Sequence, residues 1–174
     1  MDKHISTQFD SELRGVSSRV LEMGGLVEAQ IRLAIEALAV MSSDIALKVI
    51  ESEEAVNQFE VDIDRELSSI IARRQPAASD LRLLMAISRT TANLERVGDE
   101  AERMARMVQS ICKAGATLRL PSGDLRVASD LAAKQLRKAL NAFARLDAAD
   151  CVAILREDDL IDQEFNGFVR RLIT

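Results

Sequence analysis

The chain has 174 residues, 48% of them apolar, 29% charged and only 3% aromatic, with a net charge of −5 and no Trp or Tyr. Strands favour β-branched and aromatic residues, whereas Ala, Leu, Glu, Arg and Met favour helices, so this inventory argues for an all-α protein. Basic residues are interspersed with acidic ones, which argues against a nucleic-acid partner, and no charge-free apolar run approaches the roughly 18 residues of a membrane span.

The first element is one long helix. Ile5, Phe9, Leu13, Val16, Val20, Met23, Val27, Ile31, Ala34, Leu38 and Met41 follow one another in steps of three or four, as one helical face does. At about 1.5 Å per residue it is roughly 55 Å long, so the bundle is elongated. Gly15, Gly24 and Gly25 weaken it locally and mark a bend or a close helix approach. Ser42-Ser43-Asp44 breaks this helix and caps a second, which carries Ile45, Val49, Val56, Phe59, Ile63, Leu67 and Ile70. That helix ends near Arg73-Arg74-Gln75-Pro76, because the residue before a proline is pushed out of the α region. Ser79-Asp80 is expected to cap a third helix, with Leu84, Ile87, Thr91, Leu94, Gly98, Ala101, Ala105, Val108 and Ile111 facing inward. Short connections make the three antiparallel neighbours, an up-down-up bundle. A fourth helix is expected from about Leu125 to Leu146, and a fifth, capped by Asp147, from there onward.

The chain also repeats itself. QIRLAIEALAVM (30–41) returns as QLRKALNAFARL (135–146), 105 positions later, with Gln, Arg and three Ala in register. At the same offset VIESEEAVNQFEVDIDREL (49–67) lies over ILREDDLIDQEFNGFVRRL (154–172). A period this long indicates two similar domains in tandem. The expected organisation is a first three-helix bundle over 1–113, a linker over 114–124 and two helices of a second bundle over 125–174. Those two helices carry an apolar stripe on Leu136, Leu140, Phe143, Ile154, Ile161 and Phe168 that a third helix is expected to cover. In its absence the stripe must pack on another copy or on the first bundle.

Chemistry is sparse. The chain holds no GxxxxGK[ST], GxGxxG, HExxH or GxSxG motif, and His4 is its single histidine, which argues against an enzyme. Cys112 and Cys151 lie on helical stretches without a CxxC partner, consistent with reduced thiols in the cytoplasm. Carboxylates four apart occur at Glu60 and Asp64, Glu95 and Asp99, and Asp158 and Asp162. Residues at that spacing share a helical face, so each pair offers oxygens to one cation; the plain alternative is a solvated charged face. Arg73, Arg74, Arg103 and Arg106 read as exposed salt-bridging faces or a partner-docking patch.

Arg74-Gln75-Pro76-Ala77-Ala78-Ser79-Asp80-Leu81-Arg82 followed by Leu94-Glu95-Arg96-Val97-Gly98-Asp99 resembles the signature of the PhoU family, and His4 to Phe9 and Met23-Gly24-Gly25 are similar to its proteobacterial members. The resemblance implies two three-helix bundles in a non-enzymatic adaptor that negatively regulates the phosphate-starvation response. Its implied partners are the ATPase subunit of a phosphate ABC transporter, a sensor histidine kinase and a second copy of itself in a dimer, with the membrane reached only through them. No cofactor is obligatory, but the resemblance implies clusters of metal ions, with Fe, Mn, Mg and Zn as candidates, held by E/D-x-x-x-D pairs on the second and third helices of each bundle. The matching positions are Glu95 and Asp99 in repeat one and Asp158 and Asp162 in repeat two. The second-helix pair of repeat one falls on Glu53 and Asn57, where the amide departs from the pattern and Glu60 is the available substitute.

Overall fold

The computed structural model describes residues 2–115 and 122–173. The described residues contain five helices and no strand: α1 Asp2–Val40, α2 Ser43–Arg74, α3 Ala78–Lys113, α4 Ser122–Arg145 and α5 Ala148–Ile173. The chain is all-α, as its composition requires.

The first three helices pack on one another, and each contributes one stripe to a shared core. Val16, Val20, Met23 and Val27 of α1, Val56, Ile63, Leu67 and Ile70 of α2, and Leu84, Ile87 and Leu94 of α3 form its larger half. The other half is made of smaller side chains: Ala34 and Ala37 on α1, Ala46 and Val49 on α2, Ala101, Ala105 and Val108 on α3. Small residues let helix axes approach closely. The 3.6-residue periodicity picked out nearly all of these positions.

The α1–α2 turn and the α4–α5 turn are the same structure 105 positions apart. Met41 and Leu146 are both left-handed, at φ 51° and 52°. Ser42 N donates to Ala37 O at 3.0 Å, and Asp147 N donates to Ala142 O at 2.9 Å. Ser42 Oγ caps Ile45 N at 3.3 Å, and Asp147 Oδ1 caps Ala149 N and Asp150 N at 3.0 and 3.1 Å. A polar N-cap takes up free amides of the first turn, which is why both breaks fall at these residues.

The α2–α3 connection departs from expectation at two points. Gln75 leaves the α region, but into the left-handed one (φ 47°, ψ 61°) rather than an extended conformation, because its N–H closes the helix on Ile71 O at 3.2 Å. α3 starts at Ala78, with Ala77 in the cap position and no side-chain cap bond. Ser79 and Asp80 thus lie inside the first turn instead of before it, where the Asp80 carboxylate faces the positive end of the helix dipole. α4 also begins earlier than expected, at Ser122.

α4 lies antiparallel along α1. Leu140 meets Gly24, the Arg137 guanidinium forks onto Glu28, and Arg32 reaches Asp130 at 3.3 Å, so rising numbers on α1 meet falling numbers on α4. A Cβ at position 24 would come within 2.6 Å of Leu140, so Gly24 serves the close approach, while Gly15 and Gly25 face open space. Leu136, Leu140 and Phe143 join the first bundle's core, which is the intramolecular one of the two expected solutions for the apolar stripe. Among the described residues α5 packs on α4 alone. Ile154 and Ile161 stay half-buried, and the Phe168 side chain lies outside the described residues.

Candidate functional site

Four of the expected site residues, Glu53, Glu60, Glu95 and Asp99, gather along the α2–α3 seam. Glu53, on the buried face of α2, accepts a hydrogen bond from Gln30 Nε2 of α1 at 2.8 Å, and its carboxyl lies against the backbone of Gly98 on α3. A Cβ at 98 would stand 3.0 Å from Glu53 Oε2, so glycine is what allows this carboxyl to reach α3. Burial pushes the Glu53 carboxyl above the usual carboxylate range, and the negative charges of Asp99, Glu102 and Glu95 add to the shift.

Further along the seam, Glu60 of α2 and Glu95 of α3 are half-buried, while Asp99 is exposed. Partial burial raises the Glu60 carboxyl first, with Asp64 and Asp99 as further causes. Burial likewise raises Glu95, helped by Asp99 and Glu60. These carboxylates therefore act on one another across two helices. They do not close into a cation cage: among the described residues no three carboxylate, imidazole or thiol groups are placed to hold one ion. Asn57 points outward, and Glu53 is turned into the core.

In repeat two, Asp158 and Asp162 are both exposed on α5, and Asp158 Oδ1 accepts from Gln135 Nε2 at 2.8 Å. Gln135 and Asp158 stand 105 positions after Gln30 and Glu53, so the glutamine–carboxyl pair recurs with the repeat. Sequence reasoning missed Gln30 as a site residue. The available signal was its return as Gln135 inside an otherwise apolar register.

The arginines are paired. Arg74 grips Glu12 through two bonds of 2.9 and 3.1 Å, and Arg73 joins it at 3.3 Å, so this pair ties α2 to α1. Arg103 pairs with Glu100 and Arg106 with Glu102 on the open face of α3, at 3.0 and 2.5 Å. An apolar groove of about 510 Å³ runs between α3, α4 and the start of α5, walled by Leu94, Val97, Leu140, Phe143, Leu146 and Cys151. Among the described residues no helix is long and apolar enough to cross a membrane.

The PhoU domain model matches residues 20–108, which include the seam and its glycine. The chain belongs to the PhoU family. The phosphate-specific transport system accessory protein PhoU homolog of a Burkholderia species is 47% identical over 175 residues, all of this chain and 74% of that protein. The accessory protein PhoU of Escherichia coli K12 is 44% identical over 174 residues, again all of this chain and 71% of that protein. The crystal structure of PhoU from Pseudomonas aeruginosa superposes with a TM-score of 0.86 at 41% identity, over 95% of this chain and 78% of that one. The phosphate transport system regulatory protein PhoU from Streptococcus pneumoniae gives 0.83 at 28% identity, over 95% and 77%. These relatives are regulatory and accessory proteins by name, which agrees with the failed search for catalytic motifs.

Proposed function

We propose that this protein regulates phosphate transport as a non-enzymatic adaptor. It represses the phosphate-starvation response by coupling the ATPase subunit of a phosphate ABC transporter to a sensor histidine kinase, acting in the cytoplasm as a dimer. The observation that carries this reading is the 47% identity, over the whole of the chain, to a phosphate-specific transport system accessory protein. The long, rigid, mixed-charge faces of α2 and α3 suit docking better than chemistry, and Arg103 and Arg106 are the exposed cations we assign to it. Deleting the protein should derepress phosphate-starvation genes in high phosphate, and pull-downs should recover the ATPase subunit or the kinase. Normal repression in the deletion strain sinks the proposal. Arg103→Ala/Arg106→Ala should weaken the pull-down while leaving the fold intact.

A second reading, in which the ion itself is the function, has one observation in its favour: Glu60 and Glu95 approach from two helices, and the nearby Asp99 charge helps to raise both carboxyls. Elemental analysis of protein purified without chelator, beside Glu95→Ala/Asp99→Ala, separates the readings. Stoichiometric metal that the variant loses favours the ion; metal-free protein that still represses favours the adaptor.

A further inference from the structure

The outer face of α3 carries an arginine every seventh residue: Arg82, Arg89, Arg96 and Arg103, all exposed. A seven-residue step drifts only about 20° round a helix, so the four stay within roughly 60° of one another, at intervals of about 10 Å. Among the described residues Arg103 pairs with Glu100 and Arg96 acts on its neighbour Glu95, whereas Arg82 and Arg89 meet no acid. Val97, next to Arg96, opens onto the apolar groove, so a basic rim runs beside an uncovered apolar strip. A nucleic acid or an anionic membrane fits this face poorly, because Glu100 stands within the stripe and Asp99 beside it, where both would meet phosphates. An acidic helix with apolar residues between its charges fits it well.

That chemistry is present on α5. Its inner side meets α4 through half-buried Ile154 and the Glu157–Lys138 ion pair. Its outer side exposes Val152, Leu155 and Phe165, with Asp158 and Asp162 between them. Asp158 holds a bond from the neutral Gln135, and neither aspartate meets a cation among the described residues. The start of α5 and the middle of α3 wall the same groove, so both faces look out on one side of the molecule. We propose that this side joins two copies of the chain, with α5 of each laid along the α3 arginine stripe of the other. The proposal rests on the dimer of the proposed function and adds the surface that makes it. A two-fold axis forms both contacts at once, because each copy presents both faces. α5 has 26 residues and is roughly 39 Å long, so a contact about 10 Å wide buries about 400 Å² of it. Counted on α5 and again on α3, that is about 800 Å² per copy, the size of a stable interface.

The test is sedimentation equilibrium of the whole chain, with chelator present so that no metal ion bridges the copies. The wild type should sediment as a dimer that loosens as salt rises. Arg89→Glu/Arg96→Glu and, separately, Asp158→Lys/Asp162→Lys should each weaken association by about a hundredfold or more, since like charges then face one another. An equal mixture of the two variants should restore the dimer, because every α3 then meets an α5 of opposite charge. That rescue also shows that both variants are folded. A monomeric wild type overturns this surface and the dimer of the proposed function together. A dimer that survives either reversal overturns the surface alone, and so does a loss that mixing fails to restore in variants that circular dichroism shows to be helical. Repression in the cell tests the coupling role separately.

Discussion

Glu28 holds the two halves of the molecule together. Its carboxyl receives Arg137 from α4 and Arg32 from its own helix, and it is buried while both arginines remain open to water. The hydrogen bond from Arg137 holds the carboxyl below the usual carboxylate range, with Arg32 helping and burial opposing. A carboxylate whose folded pKa is lowered adds stability above its unfolded pKa and loses it as the pH falls through the folded value. Acidification below the ordinary carboxylate range should therefore release α4 from α1 before the first bundle melts, which hydrogen exchange of α4 against pH would show. Glu28→Ala should weaken the same docking by about 1–2 kcal/mol at neutral pH, a charge-assisted bond discounted for the exposed partner. On the other side of the crossing, Gly24→Ala forces Leu140 aside, and overpacking of that kind costs roughly 1–3 kcal/mol. Glu60 and Glu95 have the opposite sign to Glu28: their raised carboxyls cost stability as the pH rises through the carboxylate range.

At the scale of the elements, the two equivalent turns behave as matched experiments. Removing either cap, by Ser42→Ala or Asp147→Ala, should cost about 1 kcal/mol in a chemical melt. Leu146 sits left-handed with its side chain 67% exposed, so Leu146→Gly relieves backbone strain at little cost in burial and should raise Tm. The equivalent Met41→Gly should gain less, because Met41 packs against the core. These turns were legible in the sequence, since a polar cap after an apolar stripe is a local signal. The start of α3 was not: a Ser-Asp pair looks the same before a helix as within its first turn, and only the backbone decides. Gly98 was legible as an inward position, but its purpose depends on Glu53 and Gln30, which are remote in sequence. Glu53 was singled out only through the family resemblance, and its burial against Gln30 was not legible, because that partner lies on another helix, 23 residues away. The docking of α4 was one of two solutions the apolar stripe permitted, and the Gly24–Leu140 contact selects between them.

The whole molecule is built as a chain of dependence. Among the described residues α1, α2 and α3 each touch both of the others; α4 rests on α1, and α5 rests on α4 alone. α5 leaves Val152, Leu155 and Phe165 exposed at 50%, 71% and 55%, and the groove beside it remains open above Leu140 and Phe143. Local opening free energy follows the number of buried apolar partners an element would lose. Native-state hydrogen exchange should thus rank the helices: the middle of α1 to α3 slowest and exchanging only on global unfolding, α4 intermediate, α5 fastest. Burial is worth about 25 cal/mol per Å², so covering the exposed face of α5 with a helical partner would add several kcal/mol to its protection. The same ranking orders the variants. Glu28→Ala and Gly24→Ala should accelerate exchange in α4 and α5 together while leaving α2 and α3 unchanged, since α4 reaches the bundle through α1. Equal acceleration across all five helices would instead mean that the protein opens as one cooperative unit, and the dependence of α5 on α4, and of α4 on α1, would be wrong.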